Sequence, residues 1–321
     1  MAERSPAVIN VQDLVVEYKT GRQRVRAVDG ITFQVQPGEC VGFIGANGAG
    51  KSSTIKTMMG FMFPARGSVQ IFGSPAGTVE SRRRLGYLPE VALYYPFMKA
   101  RELLELYGGL HGLSRADLKV RIPALLEEVG LKDKGELLLK NISKGMQQRV
   151  GIAQAIIADP EAMIFDELSS GLDPVGRFDL REVLLKLKAR GRTIFFSSHE
   201  LSEVESLCDR VIMIHQGRII SQATVPELMK PLNEFEIAYR LPAGVAQPAG
   251  LSKFSPEPDG DQHRLRLKNV QDYAQAIAAL ASSGATVLNT SSRTQSLEDY
   301  FISLVRLQTR SSAGVDGALP H

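Results

Sequence analysis

Apolar residues between Val8 and Tyr18 fall at strand spacing, and Ile31-Thr32-Phe33-Gln34-Val35-Gln36 alternates strictly before a Pro37-Gly38 turn. The pattern predicts antiparallel β structure at the start of the chain. Cys40-Val41-Gly42-Phe43-Ile44 follows as a short apolar run that reads as a buried strand, and residues 51–59 read as a helix that Gly60 can end. Residues 67–73 form another short strand, and residues 84–90 a strand running into a loop, with Glu90 at its exit. From Ala100 to about Ala158 the period becomes helical. Leu103, Leu104 and Tyr107 share one face, Ser114 is placed to cap the next helix, and Pro123 is expected to kink or divide it. Ala162-Met163-Ile164-Phe165 reads as a central parallel strand and Thr193-Ile194-Phe195-Phe196-Ser197-Ser198 as another strand. Between them a helix opens at Pro174, capped by Asp173, and continues to Gly191.

Around residues 224–231 this α/β alternation stops. Phe235, Ile237, Tyr239 and Leu241 then alternate with polar or small residues, and Pro242 opens a loop to about Asp261. A strand near Leu265, a helix over 270–280, a strand around Val287 and a helix over 297–307 capped by Ser296 complete a small α+β unit. The expected division is residues 1–230, with a helical segment at about 91–158, then 231–308, then a tail at 309–321 whose Gly, Ala, Ser and Pro content suits disorder.

Length supports two units, since 321 residues exceed the usual ~100 to 200 per domain. The chain is 44% hydrophobic and 23% charged, as an ordinary soluble protein is. No apolar run approaches the roughly 18 residues that cross a bilayer, and the first six residues lack the apolar stretch of a secretory leader. The expected location is the cytosol, where Cys40 and Cys208 would be reduced packing residues. A net charge of +3, with both signs interspersed, argues against a nucleic-acid partner.

One stretch changes the picture. Gly45-Ala46-Asn47-Gly48-Ala49-Gly50-Lys51-Ser52 fits the phosphate-binding pattern G-x-x-x-x-G-K-[ST] at every fixed position, between a strand and a helix as that motif requires. Its glycines let backbone N–H groups and the helix N-terminus, with roughly +0.5 of an elementary charge, surround a polyphosphate. Lys51 would reach the β- and γ-phosphates, and the Ser52 hydroxyl would ligate Mg²⁺. Asp166 and Glu167 end a central strand, where open α/β sheets bind ligands. Asp166 would hold Mg²⁺ through its water shell, and Glu167 would polarise an attacking water. The next strand delivers His199 to the same edge. Ser143 stands where a loop gives way to a helix and reads first as an N-cap. Tyr18 has a ring able to stack on a base, and Leu93, Tyr94, Tyr95, Pro96, Phe97 and Met98 place apolar bulk in a loop suited to docking.

In this order the segments resemble the nucleotide-binding subunit of ABC transporters, over residues 8–227. Tyr18 looks like the adenine-stacking residue, Gly45 to Ser52 like Walker A, Glu90 like the Q-loop position, and Asp166-Glu167 like Walker B with its catalytic glutamate. Ile142-Ser143-Lys144-Gly145-Met146 looks like the signature, residues 170–173 like the D-loop and His199 like the switch histidine. The resemblance implies a P-loop ABC ATPase fold: a mixed sheet core, an antiparallel β subdomain and a helical subdomain, here with a small C-terminal α+β domain. It implies ATP and Mg²⁺ as ligands. Nucleotide contacts would come from Tyr18, Gly45, Asn47, Gly48, Ala49, Gly50, Lys51, Ser52 and Ser53, and metal contacts from Ser52, Glu90 and Asp166. Two copies would pack head to tail, with Ser143, Lys144, Gly145 and Met146 covering the partner's ATP and Asp173 in the D-loop. A separately encoded membrane permease would dock near residues 90–98, holding the ATPase on the cytoplasmic face. Glu90 stands where glutamine is usual, and Lys144 and Met146 replace the first glycine and the glutamine of L-S-G-G-Q. Lys144 either adds a cation near the opposite ATP or faces solvent. These substitutions and the C-terminal extension look like a branch that often serves export. The rival readings are a soluble ABC-type ATPase acting on ribosomes or DNA, and a non-hydrolytic regulatory module.

Overall fold

The computed structural model describes residues 6–21, 23–229, 231–242, 244–294 and 296–313. The chain divides into two compact units, Met1–Val225 and Pro226–His321, a boundary slightly ahead of the one expected at 230/231.

In the first unit β1 (Ile9–Thr20) and β2 (Gln23–Val35) pair antiparallel. Residues 23–26 of β2 are exposed throughout, and burial begins to alternate only from Val28. An exposed ribbon needs no apolar face, which is why the sequence pattern there starts only at Ile31. β3 (Cys40–Ile44) is buried along its whole length and leads through a glycine-rich loop into α1 (Lys51–Met58). β4 (Arg66–Ile71) returns to pair with β1, and β5 (Ser74–Pro75) pairs with β4, giving a sheet of order β2-β1-β4-β5. α2 (Val79–Arg83), capped by Thr78, precedes β6 (Leu85–Leu88).

α3 (Ala100–Leu110), α4 (Arg115–Glu128) and α5 (Lys144–Ile156) form the helical segment. Ser114 and Asp117 cap α4 reciprocally, each side chain accepting the other's backbone N–H. The helix runs through Pro123 as one element instead of dividing there. Leu118 and Ile122 before the proline, and Leu125 and Leu126 after it, are all buried. At about 1.5–3 kcal/mol for each fully buried large side chain, that packing outweighs the roughly 3 kcal/mol cost of an interior proline.

β7 (Ala162–Phe165), α6 (Pro174–Ala189), β8 (Thr193–Ser198), α7 (Leu201–Leu207), β9 (Arg210–His215) and β10 (Arg218–Thr224) complete the unit, and α8 (Val225–Leu228) straddles the boundary. The central sheet has the order β10-β9-β3-β8-β7-β6, parallel except for the β10–β9 pair. β3, β7 and β8 are buried at every residue, as strands covered on both faces must be. Phe33 of β2 stacks on Phe195 of β8 at 5.7 Å, and both approach Phe43 of β3, so one aromatic cluster joins the two sheets. Cys40 and Cys208 are buried free thiols.

The second unit holds β11 (Pro231–Arg240), β12 (Glu257–Asp259), β13 (Gln262–Leu267), α9 (Val270–Ser282), β14 (Thr286–Thr294) and α10 (Leu297–Ala313). Its antiparallel sheet has the order β12-β13-β11-β14 and a separate core of Ile237, Tyr239, Leu251, Leu265, Leu267, Ala276 and Leu280. The expected loop after Pro242 contains a 3-10 turn, Ala249–Phe254, because Leu251 has a core to enter. α10 runs on to Ala313, so residues 309–313 are helical where a tail was expected, while residues 314–321 lie outside the described residues.

Packing at Gly86 in β6 tests this arrangement, since an added Cβ would sit 2.3 Å from the Ala155 carbonyl oxygen of α5. Gly86→Ala should lose about 1–3 kcal/mol of stability by overpacking. Gly109→Ala in α3, where a Cβ meets nothing within 4 Å, should gain up to about 1 kcal/mol from helix propensity. Urea unfolding of the two variants against the parent checks both signs.

Candidate active site

Strand register builds the site. β8 lies between β3 and β7, with Ile44 beside Ser198 and Phe165 beside Phe196. The next residues, Gly45, Asp166 and His199, therefore leave the sheet at one edge, the carboxyl edge that serves as ligand crevice in open α/β sheets.

The loop from Gly45 to Gly50 brings Lys51 back over its own start. Gly50, the N-cap of α1, has φ 112°, and a Cβ there would sit 2.5 Å from the Ala27 carbonyl oxygen, so only glycine fits. No side chain caps α1 and its first turn holds no acid, which leaves the first amides available to an anion. The Lys51 ammonium is buried and donates to the carbonyl oxygens of Gly45 at 2.6 Å and Ala46 at 3.3 Å. The same ammonium forms an ion pair with Glu167 Oε1 at 3.1 Å.

Asp166 and Glu167 are also buried, at 2% and 8% exposure. Asp166 Oδ1 accepts from Ser197 Oγ at 2.7 Å and from Ser52 Oγ at 3.3 Å. Burial pushes the Asp166 carboxyl above its ordinary range, the two serine hydrogen bonds pull it partly back, and the Glu167 charge adds to the upward push. A cation would relieve that strain. Ser52 and Asp166 present adjacent hard oxygen donors, and Ser52 and the exposed Glu90 line one cavity with Asp166 buried behind them, a set that suits Mg²⁺ in a partly hydrated shell. Glu167 has φ 49°, in the left-handed region, which costs a residue with a Cβ about 1–2 kcal/mol. Its backbone N–H donates to Ser197 Oγ at 2.8 Å, and its Oε2 lies 2.6 Å from His199 Nδ1. One carboxylate thus bridges the lysine and the histidine.

These groups face a cavity of ≈ 400 Å³ lined by Tyr18, Asn47, Gly48, Gly50, Lys51, Ser52, Ser53, Glu90, Glu167 and His199. Gly45 and Ala49 shape the loop without lining the cavity, Gly45 through the carbonyl that Lys51 holds. Ser170, the first residue of the segment likened to the D-loop, lines it as well, and so do Val25, Arg26 and Ala27, which the sequence did not single out. These last three follow from the pairing of Tyr18 with Val25 across the β1–β2 ribbon. Ser197, buried under the carboxylates, was also missed, because within an apolar strand it carries no motif.

The signature residues are elsewhere. Ser143 caps α5, its hydroxyl accepting from Met146 N at 3.3 Å. Ser143, Lys144 and Gly145 line a second cavity of ≈ 330 Å³ with Gly171, Leu172 and Asp173. Asp173 caps α6 by accepting from Gly176 N at 2.8 Å, and the Lys144 ammonium lies directly over Gly171. Met146 lines neither cavity. In the loop after Glu90, Val91, Leu93, Tyr95 and Phe97 are exposed, whereas Tyr94 turns inward to Gln154.

A family model described as ABC transporter matches residues 28–170. An uncharacterized ABC transporter ATP-binding protein of Nostoc sp. (strain PCC 7120) is 37% identical over 315 residues, which are 96% of this chain and 93% of that protein. Nod factor export ATP-binding protein I of Ralstonia nicotianae is 36% identical over 227 residues, 70% of each chain. A solved structure described as the ATP binding subunit of an ABC transporter shares 35% identity at a TM-score of 0.62, over 69% of this chain and 91% of its own.

With its ammonium held by two carbonyl oxygens and paired with Glu167, Lys51 stands where the Glu167 contact can be exchanged for a nucleotide phosphate. Lys51→Ala removes a charged hydrogen bond of about 1.5–3 kcal/mol, so the nucleotide Kd should rise at least about tenfold. Titration with a fluorescent ATP analogue reads it directly, and an unchanged Kd contradicts the phosphate-loop assignment.

Proposed function

Since this chain belongs to the ATP-binding subunits of ABC transporters, which hydrolyse ATP, we propose that two copies close head to tail around two ATP molecules and drive a separate membrane permease. The observation that carries the dimer is the separation of two half sites. Lys51, Glu167 and His199 face one cavity, while Ser143, Lys144 and Gly145 face another. Two-fold pairing would bring the first cavity of one copy against the second of its partner, closing both sites by one isologous operation.

Within the closed site Lys51 exchanges Glu167 for a γ-phosphate oxygen, and Glu167 stays anchored by His199. Glu167 takes a proton from the attacking water as its oxygen bonds to the γ-phosphorus and the bond to the β–γ bridging oxygen breaks, releasing ADP. His199, held by Glu167 through Nδ1, contacts the γ-phosphate as that group moves. Ser52 and Asp166 would hold Mg²⁺, with Glu90 at the cavity wall, and the metal would supply neutralisation of the phosphate charge. Tyr18, 43% exposed at the cavity wall, offers its ring to the adenine.

No helix among the described residues is long and apolar enough to cross a membrane. The permease docks on the loop after Glu90, where Leu93 is 90% and Phe97 71% exposed, and holds the subunit on the cytoplasmic face. Export is the direction this reading favours, supported by the relative named for Nod factor export.

Glu167→Gln should keep nucleotide binding, lower turnover by about 10²–10⁴-fold as loss of a general base does, and run as an ATP-bound dimer on size exclusion. Parental turnover would remove Glu167 from the role of base. Tagged Glu167→Gln protein recovered with ATP from its host's solubilised membranes should bring a multi-spanning protein in fixed ratio. Recovery with ribosomes or DNA would move its work to the soluble class.

A further inference from the structure

Two residues ahead of His199 stands a serine that the reaction above leaves unused. Ser197 is fully buried, at 0% exposure, in a strand whose every residue is buried. An apolar side chain would occupy such a place without the cost of desolvating a hydroxyl. Yet both hydrogen-bonding roles of this hydroxyl go to the two adjacent acids: it donates to Asp166 Oδ1 at 2.7 Å and accepts the Glu167 N–H at 2.8 Å. Register accounts for the placement. Because Phe196 lies beside Phe165, the next residue of β8 lies beside Asp166.

Each bond has a distinct consequence. Asp166 Oδ1 takes a second hydrogen bond from Ser52, the residue that would also ligate the metal, at the longer distance of 3.3 Å. Once Ser52 turns to the metal, Ser197 is the donor that still fixes the carboxylate. Glu167, in the left-handed conformation at φ 49°, sends its N–H to Ser197, so the same hydroxyl supports the backbone from which the base projects.

We propose that Ser197 is a positioning residue for ATP hydrolysis, setting Asp166 for the metal and Glu167 for the attacking water through one hydroxyl. The proposal rests on the assignment of Glu167 as base and Asp166 as metal-binding carboxylate. Loss of such a supporting hydrogen bond lowers metal affinity or activity about 10- to 100-fold.

The test uses the full-length protein with Ser197→Thr and Ser197→Val, which add nearly the same volume and differ in the hydroxyl, together with Ser197→Ala. Ser197→Val and Ser197→Ala should lower kcat for Mg-ATP about 10- to 100-fold while KM changes by less than about threefold, and Ser197→Thr should keep most of the parental kcat. Mn²⁺ affinity of the ADP complex, followed by electron paramagnetic resonance, should weaken about 10- to 100-fold in the Val and Ala variants and not in Thr. Equal kcat and equal Mn²⁺ affinity in Thr and Val would overturn the proposal. Glu167→Gln in the same assay separates the two failures. If it turns over like the parent, the base assignment falls; if it is inactive while Ser197→Val works like the parent, only the positioning role falls.

Discussion

Parallel register among β3, β8 and β7 is the constraint on which the other features depend. Side chains alternate between faces along a strand, so a slip of one residue would replace Ser197 beside Asp166 with a neighbour pointing to the other face. The same slip would carry His199 away from Glu167. What prevents it is the apolar content of all three strands, together with the aromatic cluster in which Phe43 and Phe195 meet Phe33 of β2, which locks β8 against β3 and the antiparallel sheet. Hydrophobic packing beneath the edge therefore determines the distances between charged groups at the edge.

Those groups are poised against one another. A lysine and two carboxylates lie almost entirely out of water, and each is held by at least two hydrogen-bond or charge partners. Buried pairs of this kind contribute little net stability, because desolvation consumes most of the Coulombic gain. In the proposed mechanism their value lies in exchange: the Lys51–Glu167 contact would be traded for a phosphate contact without leaving a bare charge, while Glu167 keeps His199. The left-handed backbone of Glu167 belongs to the same logic, a strained conformation kept in place by the groups around it.

Much of this was legible in the sequence, and the part that was not has identifiable causes. The phosphate loop, the acid pair and His199 each follow an apolar run, and a run buried on both faces is the least ambiguous strand signal. The exposed half of β2 carries no such signal, so Val25, Arg26 and Ala27 went unnoticed although pairing with β1 puts them beside Tyr18. At Pro123 local backbone preference allowed a division of the helix, while the four buried residues around it keep it one element. Ser197 was invisible for a different reason: its role exists only across the β7–β8 pairing, and no local pattern marks a serine whose partners are 31 and 30 residues away in sequence.

The same geometry constrains how the proposed subunit communicates. Glu90 lines the cavity, and Val91 and Leu93, the large apolar side chains that follow within three residues, face solvent. On the other side of the acid pair, Gln148 of α5 donates to the Leu168 carbonyl at 2.6 Å, tying the helix that begins at the signature to the residue after Glu167. Two short connections thus leave the site, one toward the exposed loop and one toward the half site offered to a second copy. Coupling through either must run both ways, since an effector that alters nucleotide affinity has its own affinity altered by the same factor. In the proposed assembly a permease gripping the loop after Glu90 would therefore report its conformation to the nucleotide, and ATP that tightens the dimer would report back to the permease with equal free energy.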